Sequence, residues 1–208
     1  RELLSRVLLG NQRKIMLAGS THPGEELMLA RKYKILKKKF PELFLIVVPR
    51  HVERCKSIKA EISKEGLDVE LRSNLDRKLG NRETSKVIDC LIINTTGELG
   101  VWYYLSDVVI IGKSFLHNGG QNPVEAIFAG KPVIVGPNME NFSALVSMLN
   151  HHKGLIQIDG SETITESITE ILSKPEIAQN IVSYANEVLS CHQGATNRTA
   201  KLVVDKSF

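Results

Sequence analysis

Four short segments of this 208-residue chain carry side chains able to hold an anionic or hydroxylated ligand. The first, Gly19-Ser20-Thr21-His22-Pro23-Gly24-Glu25-Glu26, is a glycine-flanked turn whose hydroxyls and backbone N–H groups suit an anion at a helix start. It reads equally as an ordinary helix N-terminus, because a proline near the first helical position and acidic residues in the first turn are start signals. The second, Pro49-Arg50-His51-Val52-Glu53-Arg54, offers guanidinium forks that match phosphate or carboxylate oxygens, with Arg50 nearest the preceding apolar run. Surface helix charge is the alternative reading there.

In the third segment, Asn94-Thr95-Thr96-Gly97-Glu98-Leu99, backbone N–H groups near Thr96 and Gly97 suit a phosphate and Glu98 suits a hydroxyl. Thr95 or Thr96 acting as a plain N-cap explains it as well. The fourth runs from Gly112 to Ala126 and is the strongest. Asn122 and Glu125 have capping-box spacing around Pro123, but a cap explains neither Gly119-Gly120 nor the long polar loop before them. A double glycine lets backbone approach a ligand closely. Other candidates are weaker: His151-His152 adjoin at a helix end with rings expected to diverge, which is poor geometry for a metal. The run Arg31 to Lys39 is strongly cationic and reads as a solvated helix surface, with an anionic membrane surface as the alternative. The sequence has no P-loop, GxSxG, zinc spacing or GxGxxG after its first apolar run.

These segments follow apolar runs that read as strands: Ile15 to Ala18, Leu43 to Val48, Val69 to Leu71, Leu91 to Ile93, Val108 to Ile111, Val133 to Val135 and Leu155 to Ile158. The run Leu43 to Val48 is continuously apolar, as in a strand buried on both faces, and follows Leu29, Tyr33, Leu36 and Phe40 at helical spacing. Strands alternating with amphipathic helices imply a parallel sheet with right-handed crossovers, an α/β Rossmann-like fold over residues 1–208. In such a sheet ligands bind beyond the carboxyl ends of the strands, where the four segments lie. The stretch Ser73 to Lys86 reads as an exposed connection, and three helices, Glu162 to Leu172, Pro175 to Leu189 and Thr196 to Val204, close the domain.

Composition agrees with a globular α/β domain. The chain is 42% hydrophobic and 24% charged, enough to fill a core, which argues against disorder and collagen-like sequence. A net charge of +4 is mild for this length and gives no ground for a nucleic-acid partner. Three distant cysteines, Cys55, Cys90 and Cys191, form no CxxC pair and are expected to be buried free thiols. No apolar run nears the roughly 20 residues that span a bilayer. The first residue, Arg1, leads us to expect a piece of something longer or a processed chain.

Taken in order, the loops resemble one family, the 3-deoxy-D-manno-octulosonic acid (Kdo) transferases of lipopolysaccharide synthesis. The matching pieces are Ser20 to Glu26, Val48 to Arg54, Thr96 to Leu99, Gly119 to Glu125 and Gly136-Pro137-Asn138-Met139-Glu140-Asn141-Phe142. The family looks like a GT-B glycosyltransferase, two Rossmann-like domains facing across a cleft, and this chain resembles the C-terminal, donor-binding half. The resemblance implies inverting transfer of Kdo from CMP-Kdo to the lipid A precursor, without metal or cofactor, at the cytoplasmic face of the bacterial inner membrane. It further implies a partner N-terminal domain that holds the acceptor and the general base, with peripheral membrane association through the full-length protein. By carry-over, Pro49 and Arg50 face the cytosine or phosphate, Thr96, Gly97 and Glu98 the phosphate and ribose, and Asn122 and Glu125 the ribose and sugar. Ser20 and His22 lie near the donor sugar, and the helix starts after Gly97 and Gly120 stabilise the leaving phosphate. Where Asn94 and Gln121 stand the family usually shows Asp and His, which puts an ionic role at those two positions in doubt. The alternatives are another GT-B sugar-nucleotide enzyme, a UDP-sugar transferase or epimerase, and a non-catalytic Rossmann-like binding module.

Overall fold

Alternate residues of a strand face opposite sides of a sheet, and in this chain that alternation sorts the apolar residues into two cores. The computed structural model describes residues 13–78 and 88–190, with side chains except at 76–78. Met16, Ala18, Leu45, Val47, Val108 and Ile110 face one core, whereas Ile15, Leu17, Phe44, Ile46, Val109 and Ile111 face the other. The sheet is therefore buried on both sides, as the continuous apolar runs predict.

The strands are β1 (Ile15–Thr21), β2 (Phe44–Pro49), β3 (Val69–Leu71), β4 (Cys90–Ile92), β5 (Val108–Ile111), β6 (Val133–Val135) and β7 (Ile156–Gln157). All pairings are parallel, in the order β3-β4-β2-β1-β5-β6-β7. Each of the seven expected strands is present. Because β1 pairs with β2 on one side and β5 on the other, the connections leave it in opposite directions. That switch point is where an open α/β sheet forms its ligand crevice.

The helices are α1 (Glu25–Lys39), α2 (Cys55–Lys64), α3 (Arg72–Lys78), α4 (Leu99–Leu105), α5 (Val124–Phe128), α6 (Ser143–His151), α7 (Ile164–Ser173) and α8 (Pro175–Ser190). Leu29, Tyr33 and Leu36 of α1, Ile58 and Ile62 of α2, and Ile164, Ile168 and Ile171 of α7 fill the first core. Trp102 and Tyr103 of α4, Ala126 and Ile127 of α5, Val146 and Leu149 of α6, and Val188 and Leu189 of α8 fill the second. Cys55 and Cys90 are buried free thiols as expected, and burial pushes the Cys55 thiol up to about 11.

Two expectations meet a different structure. The start of the stretch expected to be an exposed connection is helical, as α3; Leu75 packs against the second core, but one apolar residue gives no helical period to read. The rings of His151 and His152 do not diverge but sit edge to face with centroids 4.9 Å apart, and His152 Nδ1 lies 2.9 Å from the Met148 carbonyl. The cationic run on α1 is a solvated helix face, as expected: Arg31, Lys34, Lys38 and Lys39 are exposed, Arg31 and Lys34 contact Glu65, and Lys37 donates to the Leu43 carbonyl at 2.6 Å. The expected helix Thr196 to Val204 lies outside the described residues, as does Cys191. Among the described residues no helix is long and apolar enough to cross a membrane.

Candidate functional site

The loops after β1, β2, β4, β5 and β6 all emerge at the carboxyl edge of the sheet, which brings the predicted segments to one side of the molecule. At the switch point the backbones of two of them touch. Ser20 has φ 55° and interrupts the β1–β2 register, and the Gly112 N–H donates to the Gly19 carbonyl at 2.8 Å. A Cβ on Gly112 would lie 2.5 Å from the Ser20 carbonyl oxygen, so only glycine permits this approach.

The contact is held by a side chain that helix-start chemistry alone does not distinguish. Glu25 is fully buried, and its Oε2 accepts the N–H groups of His22 at 2.9 Å and Lys113 at 2.7 Å. Its Oε1 accepts those of Ser114 and Phe115, both at 3.1 Å. One carboxylate thus ties the turn after β1 to the loop after β5. Its neighbour Glu26, 2% exposed, takes the Thr21 hydroxyl and both terminal nitrogens of Arg54, which anchors the turn after β2. Glu25, Glu26 and Arg54 therefore build the site's frame. Sequence spacing carries no signal of Glu25's role, since three of its four partners stand 88–90 residues away.

The loop after β5 is bonded in turn to the loop after β6. Ser114 Oγ donates to the Ile111 carbonyl at 2.6 Å and accepts the Gly136 N–H at 2.9 Å, while Asn138 N–H donates to the Ser114 carbonyl at 3.0 Å. Gly119 and Gly120 have φ 107° and 67°, a left-handed backbone that glycine adopts readily. Their N–H groups, however, are already used: Gly119 donates to the Glu140 carboxylate, and Gly120 to the Lys113 carbonyl at 3.0 Å. Anion contact through these two amides is thus not the role of the double glycine. The capping box is not formed either, because Asn122 Oδ1 accepts the Val124 N–H at 3.0 Å while the exposed Glu125 carboxylate returns no bond. Glu125 and Ala126 N–H groups, in the first turn of α5, carry no partner among the described residues.

The other predicted residues divide by exposure. Arg50 and Thr96 are exposed, and the Arg50 guanidinium makes no hydrogen bond or ion pair among the described residues, whereas Pro49 is buried at the end of β2 beside Thr21. Gly97 has φ 80° with open space around it, and no side chain caps α4. Glu98 Oε2 is 3.4 Å from Arg72 Nε and accepts Trp102 Nε1–H at 3.3 Å, leaving Oε1 for a ligand hydroxyl. Asn94 accepts the Ser73 N–H at 2.9 Å and donates to Ser73 Oγ at 2.8 Å.

Imidazoles and a lysine line the seam between the loops. His22 lies 5.7 Å, centroid to centroid, from both His51 and His117, and Gln121 Nε2 is 3.4 Å from His22 Nε2. His117 Nε2 donates to the Pro23 carbonyl at 2.8 Å. Burial depresses the His22 pKa, Lys113, His117 and His51 depress it further, and Glu25 acts in the opposite sense. His22 is consequently a neutral imidazole at neutral pH. Lys113, at φ 57°, adds an ammonium group to the seam, a role that its place in the fourth segment did not by itself announce.

This edge offers guanidinium, ammonium and imidazole groups for an anion, carboxylates for hydroxyls, and a switch-point crevice between them. Among the described residues no cluster of His, Cys, Asp or Glu has the geometry to hold a metal ion. The fold and its loop-built edge are those of the C-terminal, donor-side Rossmann domain of a GT-B glycosyltransferase. The chain resembles the 3-deoxy-D-manno-octulosonic acid transferases: it is 30% identical to that of Haemophilus influenzae over 199 residues and 31% identical to that of Bordetella pertussis over 196. These alignments take in 95% and 93% of this chain and 45% of each relative, so the chain spans a little under half their length. It also superposes on the C-terminal CMP-Kdo binding domain of WaaA from Acinetobacter baumannii with a TM-score of 0.78 and 27% identity, covering 90% of this chain and 94% of that domain. No family model matches the sequence.

Proposed function

We propose that the chain is the donor-binding half of an inverting glycosyltransferase that moves Kdo from CMP-Kdo to a lipid A precursor. The single observation that carries this reading is the likeness to a CMP-Kdo binding domain over 90% of the chain, with the matching loops gathered at one sheet edge. In this reading Arg50 and Lys113 hold the CMP phosphate, and the free first-turn amides of α5 add donors where charge develops as CMP leaves. Glu98 Oε1 and Glu125 accept ribose or sugar hydroxyls. His22, neutral and flanked by Gln121, faces the donor sugar as a hydrogen-bonding group rather than a fixed charge. The acceptor hydroxyl attacks the anomeric carbon from the opposite side, and its proton goes to a base on the N-terminal domain. Residues 1–208 then bind donor without turnover, and the full-length protein works at the cytoplasmic face of the inner membrane, where the lipid acceptor is. No cofactor takes part.

Saturation-transfer NMR with CMP, UMP and UDP tests the reading. Selective CMP contact that is lost in a folded Arg50→Ala variant supports it; preference for UDP, or no contact from the chain either alone or joined to its N-terminal domain, overturns it.

A further inference from the structure

A carboxylate has about four lone-pair positions, and Glu25 fills all of them with backbone N–H groups from two loops. Oε2 bridges His22 and Lys113, the first residue of each loop whose side chain faces the seam, and Oε1 holds Ser114 and Phe115. The Ser114 and Phe115 bonds are buried, the His22 and Lys113 bonds part-buried, and the Glu25 side chain itself is out of contact with solvent. The two loops also meet through Gly112 N–H on the Gly19 carbonyl, His117 on Pro23 and Gln121 on His22, but each of these is a single contact.

We propose that Glu25 is a positioning residue for donor binding: its carboxylate sets the spacing of the His22 and Lys113 side chains, so the crevice exists in its binding geometry before any ligand arrives. This rests on the reading that the carboxyl edge takes the donor nucleotide. Two alternative roles are separable from it. A purely structural carboxylate would change stability without changing the loops' response to nucleotide. A ligand-contacting carboxylate would need a free lone pair, and Glu25 has none.

Glutamine at position 25 has the same shape but offers two acceptor positions and two donors, so two of the four N–H groups would meet another N–H. Asp107 supplies the control. Its Oδ2 accepts the Ile15 N–H at 2.6 Å at the opposite, amino edge of the sheet, far from every loop of the site.

The experiment uses the 15N-labelled chain as Glu25→Gln, Glu25→Asp and Asp107→Asn, with amide exchange and CMP titration measured well below each variant's melting midpoint. In the parent protein the Lys113, Ser114 and Phe115 amides should be strongly protected. Glu25→Gln should expose them and weaken CMP at least about tenfold. Glu25→Asp, which keeps the charge on a shorter arm, should fall between. Asp107→Asn should lower the midpoint yet leave CMP affinity within about twofold. The proposal is overturned if Glu25→Gln, or Glu25→Asp where the glutamine variant does not fold, binds CMP as the parent does. Loss of binding in Asp107→Asn equal to that in Glu25→Gln also overturns it, since stability alone would then explain both. If the parent binds UDP and not CMP, the donor reading fails while the amide protection and a UDP titration still judge Glu25.

Discussion

The loops after β1, β5 and β6 and the loops after β2 and β4 end at the same sheet edge but are built differently. The first group is cross-bonded: Glu25 joins β1 to β5, and Ser114, Gly119 and Glu140 join β5 to β6. In the second group Arg50 and Thr96 stand exposed, and Glu98 has one oxygen unengaged. The site thus has a half whose loops are tied to one another by several buried bonds, with Lys113 facing the seam, and a half in which exposed groups such as Arg50 and Thr96 stand beside anchored ones such as Arg54. Substitutions in the first should act on stability and geometry, and substitutions in the second on affinity.

The largest effect should come from Gly136→Ala, because an added Cβ would overlap the Ser114 backbone carbonyl, which Asn138 also fixes. A loss of about 3 kcal/mol in urea-measured stability is expected; a loss below about 1 kcal/mol would show that the cross-bonded half can yield. Arg50→Ala should leave the melting midpoint unchanged and weaken CMP about ten- to a hundredfold, the worth of a hydrogen bond to a charged group, as read by titration. Equal loss of stability would erase the contrast. Gly97→Ala has open space but a left-handed φ, so about 1 kcal/mol of strain is expected, a third of the Gly136 effect, in the same denaturant assay.

The smallest effect concerns His22, at the seam between the halves. Its folded pKa lies below 6.5, so below that pH the unfolded chain binds the proton first, and stability falls as pH drops toward the folded pKa. His22→Gln should flatten this decline between about pH 6.5 and the folded pKa in a series of urea midpoints. A bound phosphate should move the imidazole titration upward in the NMR spectrum, because an anion favours the charged ring.

All seven strands, α1 and the last two described helices were legible, because continuous apolar runs and 3.6-residue spacing are local signals. The five matching loops were legible as motifs through resemblance, and the topology carries them to one edge. Unlike these, the Glu25 contacts were hidden: a glutamate in the first turn of a helix looks the same whether it faces water or four distant amides. The double glycine misled in a related way: it reads as room for a ligand, but its N–H groups are taken by Glu140 and Lys113, partners set by how the loops after β5 and β6 pack.

Glu25 leaves the ribosome with β1 and β2, whereas Lys113 to Phe115 follow about 90 residues later, a delay of roughly 5–20 s at ordinary synthesis rates. Throughout that interval only one of its four amide partners, the His22 N–H, has been made. The seam between the two loops therefore cannot take its final geometry until Phe115 has been made, long after the strand and helix that carry Glu25.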